Sequence, residues 1–176
     1  MRSKITIIPL GDVEFALINK LSSNLASLLS LTVETLHAME IPLEAYNQGR
    51  GQYYSTVILN KLQLLKLDEK ERVLGITEED LYSPAVSYLF GDADSESKVA
   101  VASTFRLKQE FSGFPENEDL FYRRILKEAV HQLGRTFNLD HCPNAKCVMY
   151  SSNHIVDIDL KQDRFCDNCK RKMLPN

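Results

Sequence analysis

The chain has 176 residues, 44% hydrophobic and 26% charged. This is the usage of an ordinary globular domain and excludes disordered, collagen-like and coiled-coil chains. Lys plus Arg number 21 against 24 Asp plus Glu, a formal net charge of -3, so an electrostatic grip on nucleic acid, which needs a basic excess, is not expected. The most apolar stretch, residues 25–33, is interrupted by Ser27 and Ser30 and falls short of the ~20 apolar residues of a membrane span. The start Met1-Arg2-Ser3-Lys4 leads into no long apolar run and no small-residue cleavage site. It reads as the approach to a first strand rather than a signal peptide, and a soluble cytoplasmic protein without membrane contact is expected.

Residues 4–8 are rich in β-branched side chains and stop at Pro9-Leu10-Gly11, which predicts a strand. Apolar residues at Phe15, Ile18, Leu21, Leu25 and Leu28 predict a helix over 13–29, with Asp12 as its cap. Residues 31–36 alternate as a second strand. Residues 41–54, with Pro42, Gly49 and Gly51, read as a loop, and 55–67 as a second helix. Residues 72–76 predict a short strand and 77–80 a turn. Two further strands over 81–90 and 98–105 are joined by the polar loop 91–97. After a loop at 111–116 comes the strongest helix, 118–138, where Leu126, Ala129, Val130, Leu133 and Phe137 form one apolar stripe. The order β-α-β-α-β-β-β-α predicts an α/β sheet with helices packed on it.

Residues 141–172 lack long apolar periodicity and hold all four Cys. Cys142-x4-Cys147 and Cys166-x2-Cys169 are two close pairs joined by a medium loop, the pattern of a tetrahedral four-thiolate zinc site. In a reducing compartment clustered Cys more often hold metal than form disulfides; free or disulfide-bonded thiols are the alternative. Zinc binding, on the order of 10–16 kcal/mol in zinc-finger peptides, would order a tail with few apolar residues of its own. Its role would be structural, because four protein ligands leave no open position. Nearby Lys161, Arg164, Lys170, Arg171 and Lys172 are read as a solvated face that offsets the thiolates, in preference to a zinc-ribbon-like nucleic-acid-binding surface.

The segment from His131 through Gln132, Arg135 and Asn138 to His141 and Cys142 resembles the H-E-x-x-H-x-x-G-x-x-H motif of metzincin peptidases. The Cys directly after the last His, the C-x4-C-x-M run to Met149 and the late C-x-x-C make it similar to archaemetzincins in particular. Ile7-Ile8-Pro9-Leu10-Gly11-Asp12, Arg50-Gly51-Gln52-Tyr53 and Val73-Leu74-Gly75-Ile76 match in order, so the resemblance covers nearly the whole chain. It implies a metzincin-like twisted mixed sheet with packed helices, an active-site helix and a Cys-rich, zinc-stabilised C-terminal subdomain. That is one domain over 1–176: sheet and active-site helix in 1–140, Met-turn and four-Cys zinc in 141–176. It also implies a catalytic zinc, with Met149 as the Met-turn floor beneath it.

The departures from the motif bear on function. His131 and His141 stand at the first and third ligand positions, but the second is Arg135 and the general base is Gln132. Asn138 replaces the turn Gly, a tolerable change because Asn adopts the left-handed conformation. Arg offers no lone pair and remains cationic. Gln cannot take a proton from a metal-bound water. The expectation is therefore a peptidase-family protein that keeps one structural zinc, has lost the catalytic zinc, and is impaired or inactive. The alternative is an active zinc-dependent peptidase with an altered metal site. Arg135 would occupy or border the vacated metal position, hold a carboxylate such as a peptide C-terminus or the side chain of a nearby Asp or Glu, or face solvent. Arg50 and Tyr53 would line a cleft for a peptide or protein segment, or serve a structural loop. His37 and His154 are read as ordinary polar positions, and Asp157 and Asp159 as solvated in preference to orienting the tail.

Overall fold

The computed structural model describes residues 3–173; Met1 and Arg2, the basic start read above, lie outside the described residues. In chain order the elements are β1 (Lys4–Leu10), α1 (Phe15–Leu29), β2 (Thr32–Thr35), β3 (Tyr46–Asn47), β4 (Gln52–Tyr54), α2 (Ser55–Leu64), β5 (Glu71–Thr77), β6 (Leu81–Ser83), β7 (Val86–Leu89), β8 (Gly91–Asp94), β9 (Val99–Ser103), α3 (Glu118–Thr136), α4 (Ile155–Leu160) and α5 (Asp167–Met173). One sheet runs β2-β1-β5-β9-β8, the other β3-β4-β6-β7. The first is parallel except for β8, which pairs antiparallel with β9. This is the mixed α/β architecture that the resemblance implied.

The central strands β1, β5 and β9 are buried on both faces, and their period-2 alternation sorts two cores. Ile5, Ile7, Leu74, Ile76, Ala100 and Ala102 pack with α1 and α3. Ile8, Leu10, Val73, Val99 and Val101 pack with Ile58 and Leu62 of α2. The strand predicted to stop before Pro9 runs through it. Pro9 opposes Ile76 of β5, and its carbonyl accepts from Met39 N–H at 2.9 Å. That carbonyl faces away from β5, so the missing N–H removes no bond from the β1–β5 ladder.

Several boundaries differ from the sequence reading. Asp12 does not cap α1; Glu14 precedes the helix with extended ψ 126 and makes no side-chain cap. Gly11, at φ 81, turns the chain, and Val13 N–H bonds its carbonyl instead. The 81–90 strand is a hairpin: β6 and β7 pair antiparallel, with Ser83 opposite Val86 across Pro84-Ala85. The polar 91–97 stretch contains β8, whose ladder to β9 is held by backbone bonds that carry no hydrophobic signature. The 41–54 loop contains a 3-10 turn, Leu43–Ala45, and the β3–β4 pair.

The tail is tied to α3 by charge. Arg124 grips Asp159 with two bonds of 2.7 Å and donates to Leu107 O at 2.9 Å. Lys127 Nζ donates to the Ile158 and Asp159 carbonyls at 3.0 and 3.1 Å, at the C-terminal end of α4. Asp157 accepts from the N–H groups of Asn153 and His154 and caps the start of α4. The solvated reading of Asp157 and Asp159 is thereby corrected: a six-residue helix cannot hold itself and takes its support from these bonds. No helix among the described residues is long and apolar enough to cross a membrane. Replacing Arg124 by Met should strand Asp159 and cost about 3 kcal/mol, read as a lower urea midpoint at unchanged slope.

Candidate functional site

The four sulfurs converge. Cys142 Sγ lies 3.8 Å from Cys166 Sγ, Cys147 Sγ lies 3.8 Å from Cys169 Sγ, and all four sit within 4.8 Å of one another. These are separate thiols, far beyond a disulfide bond of about 2.05 Å. A tetrahedron with Zn–S of about 2.3 Å has edges of about 3.8 Å, so the cage fits zinc. Cys142 and Cys147 come from the loop after α3, Cys166 from just before α5, and Cys169 from its first turn. Cys166 N–H donates to Cys147 Sγ at 3.3 Å. Burial raises the Cys147 and Cys169 thiols, while the Cys169 backbone N–H draws Cys166 down to about 7. A metal held here would enter by displacing protons, and its affinity would fall as pH falls.

The second constellation grows from α3. Glu128, His131, Gln132 and Arg135 share one helical face at the floor of a cleft of about 560 Å³. After Thr136 the chain turns: Phe137 and Leu139 N–H both bond Gly134 O, and Asn138 adopts φ 61. The anticipated left-handed Asn thus returns His141 to the cleft, its ring centroid 5.5 Å from that of His131. The cleft is walled by residues 86–93 of the β7–β8 stretch and by residues 151–154.

His131 is buried, with Nδ1 2.8 Å from Val148 O and 3.3 Å from Lys161 Nζ. The carbonyl can only accept, so Nδ1 carries the proton and Nε2 keeps its lone pair. Lys161 donates to Tyr150 O at 3.2 Å. Burial, reinforced by the Lys161 charge, drives His131 down to about 3. Burial and then Arg135 also lower His141. Lys161 is 2% exposed, which corrects its assignment to a solvated basic face. Its charge opposes that of Glu128, which burial raises and Lys161 pulls back.

Gln132 Nε2 donates to Glu128 Oε1 at 2.6 Å. Arg135 borders the cleft, with one terminal nitrogen bonded to Leu139 O at 3.1 Å and 3.8 Å from Asp140. Met149 is fully buried under α3, where a Cβ on Gly134 would collide with its sulfur and lie 2.9 Å from Phe165. Arg50 and Tyr53 do not line the cleft, which corrects the cleft reading in favour of its structural-loop alternative. Arg50 bonds Gln52 and the Ser87 carbonyl and stacks 4.1 Å over Tyr82, bracing β7 from behind, while Tyr53 packs on Tyr46. His154 lines the cleft and precedes α4, so it is more than an ordinary polar position; His37 is exposed as read. Glu128 was open to sequence reasoning, because it sits one turn before Gln132. Lys161, thirty residues downstream of His131, carried no local signal.

The depressed His131 makes a pH prediction. The unfolded chain takes up this proton near the ordinary 6.5, and the folded chain refuses it until about 3. Unfolding is therefore favoured progressively as pH falls through that window, and the contribution is flat above it. By NMR, the His131 ring should show no titration between about pH 8 and 5; a midpoint in that range would contradict the assignment.

The sequence profile of Peptidase family M54 matches residues 16–174. The chain is 40% identical to an archaemetzincin of Methanocaldococcus jannaschii, over 98% of this chain and 94% of that one. It is 39% identical to an archaemetzincin of Pyrococcus furiosus, over 98% and 93%. Among solved structures, a zinc-dependent peptidase from Methanocorpusculum labreanum superposes with TM-score 0.89 at 28% identity, covering 97% of this chain and all of that one. An Archaeoglobus fulgidus archaemetzincin complexed with malonate gives 0.83 at 36% identity, over 96% and 99%. With a matched profile over most of its length, near full-length relatives and a shared architecture, the chain belongs to Peptidase family M54, the archaemetzincins.

Proposed function

We propose that this chain keeps the archaemetzincin fold and a structural zinc in its thiolate cage, is impaired as a peptidase, and uses its cleft to bind a peptide or protein segment in the cytoplasm. The observation that carries the reading is Arg135 at the cleft rim beside His131 and His141. A catalytic zinc takes three protein ligands and an open position. Two imidazoles next to a permanent cation do not fit it, and among the described residues they gain no third His, Cys, Asp or Glu ligand. Gln132 has no basic atom for a water proton, and its amide is tied to Glu128. Losing a general base alone costs ~10²–10⁴-fold in rate.

Peptide binding is supported by the cleft wall. β7 ends the second sheet and β8 ends the first, so strand edges with unpaired backbone groups flank the floor, the setting in which an extended segment adds as a further strand. Beside it, Tyr88, Phe90, Arg106, Phe111 and Ile155 enclose a smaller pocket of about 170 Å³, suited to an apolar side chain. A nucleic-acid role loses support with Lys161 withdrawn into the interior.

One observation favours the second reading, a peptidase with an altered metal site: the lone pair of His131 Nε2 is free, and the His141 ring is near. Metal analysis separates the two. The purified protein should hold about one zinc per chain and leave peptides uncut. The double variant Gln132→Glu, Arg135→His should bind a second zinc and gain chelator-sensitive cleavage. Two zincs, or chelator-sensitive cleavage, in the unaltered chain would overturn the proposal.

A further inference from the structure

Among the described residues that line the cleft, Arg135 is the one permanent cation. It uses a single terminal nitrogen on Leu139 O; its Nε–H and other terminal N–H groups make no hydrogen bond to the described residues, at a side chain one-third exposed (35%) on the cleft rim. Asp140 stands 3.8 Å away and is 97% exposed, too solvated to neutralise it. The carboxylates in the lining are already engaged: Asp92 accepts from Ser55 Oγ at 2.7 Å and from Ala93 N–H at 2.9 Å, and Glu128 accepts from Gln132. A guanidinium fork with free donors, flanked by the buried His131 and by His141, is built to receive a planar anion.

We infer that Arg135 is the anchor for the C-terminal carboxylate of an extended peptide lying along the β7–β8 edge. The inference rests on the peptide-binding reading of the cleft. A carboxylate at this point has a chemical precedent in the fold itself. Hydrolysis at the centre of a peptidase cleft leaves a C-terminal carboxylate at that centre, with its chain still lying on the strand edge. A side-chain carboxylate would come from a backbone that continues past the floor. The substitution that removes a metal ligand thus supplies the group that retains a chain end, and the cleft becomes a receptor for a free C-terminus.

The test compares three acetylated tetrapeptides by isothermal titration with the full chain. They are Ala-Ala-Ala-Leu as free acid, the same peptide as C-terminal amide, and Ala-Glu-Ala-Leu as amide, which carries its carboxylate on a side chain. The free acid should bind at least about tenfold more tightly than either amide. Arg135→Gln should erase that difference by weakening the free acid more than either amide, and Arg135→Lys should restore part of it, with thermal melts confirming that both variants fold. Equal binding of acid and amide, a side-chain carboxylate as good as the chain end, an unchanged preference in Arg135→Gln, or no binding of any peptide would each overturn the inference. The zinc and cleavage measurements are separate. Equal acid and amide binding, with one zinc and no cleavage, removes the carboxylate anchor and leaves the impaired-peptidase reading standing; a second zinc or cleavage removes that reading instead.

Discussion

The contact between the underside of α3 and the C-terminal tail governs the geometry of everything above it. At Gly134 the helix has no Cβ, and Met149 and Phe165 fill that space. One residue before Met149, the Val148 carbonyl accepts the hydrogen bond from His131 Nδ1–H; one residue before that, Cys147 enters the thiolate cage. Three consecutive residues therefore join a metal-binding corner, a ring orientation and a helix-packing surface. A short tail with little apolar surface of its own is held to the larger body by close packing and by the Arg124 and Lys127 bonds to α4, while its four thiols gather within the tail itself. Buried, hydrogen-bonded charges are costly to break once made, so these contacts define one docking position.

The interior below the cleft holds buried charge. Glu128 and Lys161 are both nearly inaccessible, and each moderates the cost of burying the other. His131 is the group that yields: pressed by burial and by the lysine, it stays neutral. The ring therefore adds no charge of its own to the floor. Arg135, partly solvated at the rim, supplies the positive potential there, and the lining carboxylates are turned to neighbouring donors.

Much of the frame was legible in the sequence. The buried strands announced themselves as apolar runs, α3 as a stripe of Leu126, Ala129, Val130 and Leu133, and the cage as two Cys pairs. Those signals are local and periodic. What escaped was either backbone-driven or long-range. β8 forms from Gly91-Asp92-Ala93-Asp94 because β9 offers a ladder, not because its side chains favour strands. The β6–β7 hairpin hid inside one apolar run whose Pro84 was the available turn signal. Of the site, His131, Gln132, Arg135 and His141 were visible through the resemblance to the metzincin motif. Arg50 looked like a cleft residue, but its bonds to Gln52 and Ser87 depend on a hairpin far along the chain. Lys161 sat among other basic residues with nothing to mark it as buried, since only the folded tail carries it beneath the helix.

The close approaches to α3 have a mechanical consequence. From one side the β8 backbone presses in at Gly91, where a Cβ would fall 2.8 Å from Gln132 Cγ and Glu128 Oε1; from beneath, Met149 and Phe165 press at Gly134. A helix approached this closely at two levels has little room to roll or slide, which favours a preformed floor for the groove above it. A peptide bound there, as proposed, would find its berth already shaped, and the ordering cost of association would fall mainly on the peptide.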